Sequence, residues 1–140
     1  MKTTEYDEGC VLSDTLNIMN IDHWHLVQEN PGSRGADGKV KWGRIAKLKN
    51  QGWKKGVSDY AIYLPSNRTK CKKGVLVFIE LKKCRSRKLD GEFKALGSDG
   101  ITVYPEQLDF IKKMNEVPGI VGEVCYGADE TITYIKSLLK

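Results

Sequence analysis

The sequence lacks any long apolar run, any closely spaced pair of cysteines and any cluster of histidines. Its longest apolar stretch is VLVFI at 75–79, which is far too short to cross a bilayer. The opening residues MKTTEYDEG carry no apolar core, so we expect no signal peptide and a cytoplasmic protein. No CxxC pair occurs among the 4 cysteines, and only 2 histidines are present, which argues against a structural zinc site.

Charged and apolar residues occur in the proportions of an ordinary globular domain. Of the 140 residues, 29% are charged and 40% are hydrophobic, which predicts one domain spanning 1–140. Lysine and arginine number 23 against 18 acidic residues, giving a net charge of +5. That excess is compatible with a nucleic-acid partner, although many basic proteins bind no nucleic acid.

Helical and extended patterns alternate along the chain and predict an α/β domain with a mixed central sheet. In the helix that begins near Pro105, the residues Leu108, Ile111 and Met114 are predicted to form the buried face. The predicted elements are a helix at about 5–20, a strand at 21–30, a short helix ending near residue 52, strands at 59–64 and 75–82, a helix at 103–119, a strand at 120–127 and a helix at 128–140.

The two central strands read as an antiparallel hairpin with a polar loop between them. Residues opposite each other in such a pair have indices with a constant sum. The indices of Leu64 and Val75, which flank the loop, sum to 139, and so do those of Asp59 and Glu80. Opposed Cβ atoms lie about 5 Å apart, so the two carboxylates are predicted to face each other. Lys82 lies two residues beyond Glu80 and shares its face.

Two neighbouring carboxylates repel each other unless a cation lies between them. Lys82 supplies one positive charge, and a divalent ion is a natural second. Mg²⁺ is typically held by one or two carboxylates together with substrate phosphate, so we expect Mg²⁺ here, with Mn²⁺ able to replace it. The simpler alternative is a solvated carboxylate–lysine cluster at the edge of a sheet.

Basic and histidine side chains surround this hairpin in the sequence. His23 and His25 flank Trp24 on a predicted strand, where they are either ligands or ordinary hydrogen-bonded histidines. A lysine-rich stretch precedes Asp59, and a basic stretch follows Lys82; each is either a DNA contact or a solvated face. The predicted contacts to the nucleic-acid backbone are Arg34, Lys41, Lys54, Lys55, Lys83, Arg85 and Arg87.

Four blocks in order resemble the VRR-NUC branch of the PD-(D/E)xK nucleases. They are HLVQENPGSR, KNQGWKKGVSDYAIYLP, VFIELKK and VYPEQLDFIKKM, and the resemblance runs from about Glu8 to Tyr126. It implies a restriction-endonuclease-like core and a Mg²⁺-dependent DNA endonuclease that hydrolyses phosphodiester bonds with a metal-activated water. Similar stand-alone members are phage or bacterial homodimers that cut branched DNA, including four-way junctions. The alternative is a catalytically silent DNA-binding module on the same fold.

The resemblance also assigns roles to individual residues. Ser58 departs from the motif, which usually has proline there, and the segment 86–103 resembles an insertion. The acid on the first helix matches Glu8, with Glu5 as the alternative. The implied roles are metal ligation by Asp59, Glu80 and the main-chain carbonyl of Leu81, with Glu8 as a further candidate, and catalysis by Asp59, Glu80, Lys82 and Gln107.

Overall fold

Four helices and four strands make up the described part of the chain. The computed structural model describes residues 4–26, 38–39, 42–52, 54–84 and 103–140, apart from the side chains of residues 44 and 45. The element order is the one that the sequence predicts. The elements are α1 (Glu5–Ile18), β1 (His23–His25), α2 (Trp42–Asn50), β2 (Tyr60–Leu64), β3 (Val75–Lys82), α3 (Pro105–Asn115), β4 (Ile120–Tyr126) and α4 (Ala128–Leu138).

The strands form one mixed sheet in the order β1-β2-β3-β4. Both β1–β2 and β2–β3 are antiparallel, whereas β3 and β4 are parallel and are joined through α3. In the hairpin, Tyr60 pairs with Ile79 and Leu64 pairs with Val75. The predicted register of the hairpin is therefore confirmed, and its continuation places Asp59, the residue directly before β2, opposite Glu80 on β3.

One face of the sheet packs against α1 and α4 to form the hydrophobic core. Leu12 and Leu16, which are four residues apart on α1, are fully buried, as is Ile135 of α4. Alternate residues of the hairpin fill the other side of this layer, as the two-residue period of a strand requires. The strand residues of the core are Tyr60, Ile62, Leu64, Val75, Val77, Ile79 and Leu81 of the hairpin and Cys125 of β4.

The opposite face of the sheet is covered by α3. Phe78 of β3 meets Phe110 edge to face, with 5.3 Å between ring centroids. Ile111 is buried as predicted, but the prediction for Leu108 is wrong, because its side chain is 52% exposed. Gln107 occupies the position that faces the sheet, since its amide donates to Glu80. Leu108 is therefore turned about 100° away from the buried face.

No helix in the ranges given above is long and apolar enough to span a membrane.

Candidate active site

Asp59 is held at the open end of the hairpin by two main-chain contacts. The Leu81 amide N–H donates to Asp59 Oδ2 across 2.9 Å, and the Leu26 N–H donates to the Asp59 carbonyl across 2.7 Å. The first contact ties the carboxylate to β3, and the second ties the backbone to the end of β1. The side chain is thereby fixed beside Glu80, as the index sum predicts.

Glu80, Lys82 and Gln107 form a connected group on the α3 side of the sheet. Gln107 Nε2 donates to Glu80 Oε1 at 2.7 Å, and Lys82 Nζ lies 3.4 Å from the same oxygen. Lys82 Nζ also donates to Gln107 Oε1 at 3.3 Å, and the Tyr104 main-chain N–H donates to that amide oxygen at 2.9 Å. The amide of Gln107 therefore holds the acid and the lysine in one arrangement.

Both carboxylates lie where water is scarce. Glu80 is only 3% exposed, and burial, reinforced by the charge of Asp59, raises its pKa to about 8 despite the opposing charge of Lys82. Burial also raises the pKa of Asp59, while the Leu81 N–H and the Lys82 ammonium act to lower it. One lysine thus does not neutralise the pair, and the site favours binding of further positive charge.

Glu80 provides the observation that tests whether a metal fits. Its second oxygen, Oε2, is buried and no donor reaches it, and the Asp59 carboxyl group beside Glu80 can share a hydrogen bond with it only while one of the two acids holds a proton. Buried polar atoms are nearly always paired, so an orphaned carboxylate oxygen beside another carboxylate suits a cation that accepts oxygen ligands. In the described ranges no group of three or more His, Cys, Asp or Glu side chains could hold a metal. Two carboxylates with other oxygens from main chain, water or phosphate match the coordination habits of Mg²⁺.

The two candidate acids on α1 lie in different places. Glu8 Oε2 accepts a hydrogen bond from the Ala128 N–H across 2.7 Å, at the first turn of α4. Glu5 lines a cavity with Asp59, and its pKa is raised by burial and then by the Asp59 charge. Glu8 therefore contacts the N-terminus of α4, whereas Glu5 lies beside Asp59 of the candidate site.

The loop before Asp59 is fixed against α3 by a glycine. Gly56 has φ +100, and a Cβ at this position would lie 2.5 Å from the Glu106 carbonyl oxygen. Only glycine fits both that conformation and that contact without strain. The neighbouring Ser58 is fully buried, and its Oγ has no hydrogen-bond partner.

The predicted DNA-binding residues are only partly within the described ranges. Lys54 and Lys55 are exposed just before Gly56, and Lys83 is half-buried directly after Lys82. These three lysines thus lie on both sides of the carboxylate pair along the chain. The remaining predicted contacts, Arg34, Lys41, Arg85 and Arg87, lie outside the described residues, as does nearly all of the segment 86–103.

Two features of the site were not predicted from the sequence. Lys82 Nζ lies 6.0 Å from the centroid of the Tyr104 ring, which is 57% exposed beside the lysine. A cavity of about 600 Å³ opens between α1 and β1 and reaches Asp59. The sequence places His23 and His25 on one face of β1, but it does not reveal that α1 leaves a space above them.

Comparison with known proteins agrees with this architecture. No family profile matches the sequence, and no curated protein matches it. Among solved structures, one described as a VRR_NUC domain protein superposes with a TM-score of 0.54 and 17% sequence identity, covering 99% of this chain and 89% of that chain. This chain has the fold of a VRR_NUC domain protein. The expected restriction-endonuclease-like α/β core, a mixed sheet flanked by helices, is thereby confirmed.

Proposed function

We propose that this protein is a metal-dependent DNA endonuclease of the PD-(D/E)xK type. The observation that carries the proposal is the orphaned, buried Oε2 of Glu80 beside the Asp59 carboxylate. A merely solvated carboxylate cluster would keep these oxygens in water, where burial would not raise their pKa values. The fold of a VRR_NUC domain protein supports the same conclusion.

In this proposal Asp59, Glu80 and the Leu81 main-chain carbonyl hold Mg²⁺ or Mn²⁺, with Glu5 facing the same end of the cavity. Such an ion supplies Lewis acidity to the phosphodiester and acidity to a bound water. Lys82 contributes an ammonium that stabilises the negative charge developing on the phosphate. Gln107 positions that ammonium, because its amide oxygen accepts from Lys82 while its amide N–H group holds Glu80.

The proposed substrate is DNA, contacted through the lysines on both sides of the site. Lys54, Lys55 and Lys83 would neutralise backbone phosphates, so binding should weaken as the salt concentration rises. A preference for branched or four-way-junction DNA and a homodimeric assembly belong to the same proposal. A two-fold dimer would match a two-fold junction, and sedimentation of the protein at micromolar concentration tests it.

A cleavage assay tests the function directly. Labelled duplex, flap and four-way-junction DNA are incubated with the protein in Mg²⁺, Mn²⁺ or EDTA. Cleavage should require the metal and should be lost in Asp59→Asn. The matched control is Asp109→Asn, which removes an exposed carboxylate that pairs with Lys113 on α3.

Three outcomes of this assay are informative. Metal-dependent cleavage by the wild type and by the Asp109 control, but not by the Asp59 variant, supports the nuclease. DNA binding without cleavage in either metal leaves only the silent binding module. If neither binding nor cleavage occurs on any of the three substrates, both readings fail.

A further inference from the structure

Asp59 and Glu5 form one end of the cavity between α1 and β1, and the rest of its lining has no role in the chemistry described above. Its volume of about 600 Å³ lies within the range of small-ligand clefts. The α1 wall is formed by Tyr6, Cys10 and Ser13, which are spaced to share one helix face. The opposite wall is formed by His23 and His25 of β1.

The charge of this lining selects the part of a ligand that can enter. Glu5 and Asp59 are the charged side chains in it, and no lysine or arginine from the described ranges lines it. A phosphate group would be repelled from such a cavity unless a cation were present. A neutral, flat group with polar edges is the better occupant, and in a nucleotide that group is the base.

His25 offers a surface on which such a base can stack. Its ring lies parallel to that of Tyr60, with centroids 4.8 Å apart and planes 17° apart. Tyr60 is buried and His25 is exposed, so one face of the imidazole is backed by the protein core and the side chain remains accessible. Gly9 makes room for this arrangement, because a Cβ there would lie 2.7 Å from the Tyr60 hydroxyl.

The other histidine is held in the wall by hydrogen bonds at both of its ring nitrogens. His23 Nδ1 lies 3.0 Å from the Ile21 carbonyl, which can only accept, so this nitrogen carries the proton in the neutral ring. Nε2 then accepts from the Ser13 hydroxyl at 2.8 Å, which ties β1 to α1 across the cavity. His23 is therefore a half-buried structural tether, whereas His25 is the exposed histidine of this wall.

We propose that this cavity receives the base of one unpaired nucleotide from the DNA strand held at Asp59, and that the base stacks on His25. The inference rests on the proposed function, because it takes the scissile phosphate to lie at Asp59 and Glu80. A base must leave its pair to enter, which is least costly where the DNA is already unpaired. The cavity would therefore select flaps, bulges and junctions over continuous duplex.

The test measures DNA binding in Ca²⁺, so that affinity is read without cleavage. Two labelled duplexes are compared: one carries a single unpaired nucleotide, and the other carries an abasic residue at the same position. Stacking on one aromatic ring should make the first bind about tenfold more tightly. His25→Ala should abolish that difference, whereas His25→Phe, which keeps a flat ring, should retain it.

Two further variants separate the cavity from general effects on folding. Cys10→Phe fills the cavity without altering His25 and should also abolish the difference. Trp24→Ala is the matched control, because Trp24 is an exposed aromatic residue of β1 that, with its cross-strand partner Ala61, lies on the face of the sheet opposite His25. It should leave the difference unchanged, and the melting temperature of each variant confirms that it is folded.

Equal affinity of the wild type for the two duplexes would overturn the proposal, and so would a difference that survives both His25→Ala and Cys10→Phe. This result can be distinguished from that of the nuclease assay. If cleavage in Mg²⁺ is normal but DNA affinity does not depend on the base, only the cavity proposal fails. A base-dependent affinity without cleavage in Mg²⁺ or Mn²⁺ supports the cavity and removes the nuclease.

Discussion

Glu80 is buried beside a second carboxylate, and this placement determines how the site responds to pH. In the folded protein its pKa is raised to about 8, chiefly by burial, whereas a solvated glutamate titrates near 4.5. At a pH between these two pKa values, Glu80 has lost its proton in the unfolded chain but still holds it in the folded chain. The free energy of unfolding of the metal-free protein should therefore fall as the pH rises through that window.

The first prediction concerns the metal-free protein. The stability that protonated Glu80 contributes should be fully present below about pH 4.5 and should be lost toward pH 8, by at most about 1.4 kcal/mol per pH unit. Glu80→Gln mimics the protonated acid and should flatten the decline. Thermal melts in EDTA at several pH values measure both proteins. An unchanged pH dependence in the variant would show that Glu80 keeps an ordinary pKa.

The second prediction concerns Lys82, whose ammonium contacts both Glu80 and Gln107. Lys82→Ala should bind DNA nearly as well as the wild type but should lower kcat by about 10²- to 10³-fold, because a charge that acts on the transition state is lost. Lys113→Ala on the exposed side of α3 is the control. Single-turnover kinetics and a binding titration separate the two effects. If the variant instead binds DNA more weakly and keeps the wild-type kcat, Lys82 acts in ground-state binding.

At the scale of elements, α1 serves two purposes through two acids in its first turn. Glu8 accepts from the Ala128 N–H and so stabilises the start of α4, whereas Glu5 lines the cavity beside Asp59. Residues three apart lie on nearly the same side of a helix, so the sequence alone could not separate them. The packing of α4 against α1 decides which acid is engaged.

The third prediction follows from that division. Glu8→Ala should lower the free energy of unfolding by about 0.5–2 kcal/mol, as the loss of a helix cap does, with little effect on metal affinity. Glu5→Ala should leave stability nearly unchanged and should weaken Mg²⁺ binding about 10- to 100-fold, as the loss of a group supporting a metal site does. Thermal melts and metal titrations read the two effects. The reverse pattern would make Glu8 the acid of the site.

The fourth prediction concerns the contact between α3 and the loop that precedes β2. Gly56→Ala forces a side chain into a positive φ and against the Glu106 carbonyl, which should cost about 1–3 kcal/mol of stability and should lower cleavage. Gly43→Ala is the control, because Gly43 is in α2 with nothing within 4 Å of an added Cβ. That change should be neutral or should stabilise by about 0.5–1 kcal/mol. Equal effects at the two positions would contradict a specific contact at Gly56.

For the molecule as a whole, the sequence predicts what is local and misses what depends on packing between layers. The hairpin register follows from chain indices, so the pairing of Asp59 with Glu80 can be predicted from the sequence alone. Only the family resemblance implied that Gln107 lies at the site. The exposure of Leu108 and the cavity above His25 depend on how helices pack on the sheet, and no periodicity in the sequence encodes that packing.

The site lies at the end of the sheet where the two helical layers approach the same strand pair. Asp59 borders the α1 cavity, while Glu80 and Lys82 face α3. The central claim is that Asp59 and Glu80 together hold one divalent ion. Anomalous diffraction from crystals soaked in Mn²⁺ tests it most directly. A single peak in contact with both carboxylates and absent in Glu80→Gln is the predicted result; no peak there, with DNA cleavage intact, would contradict the account.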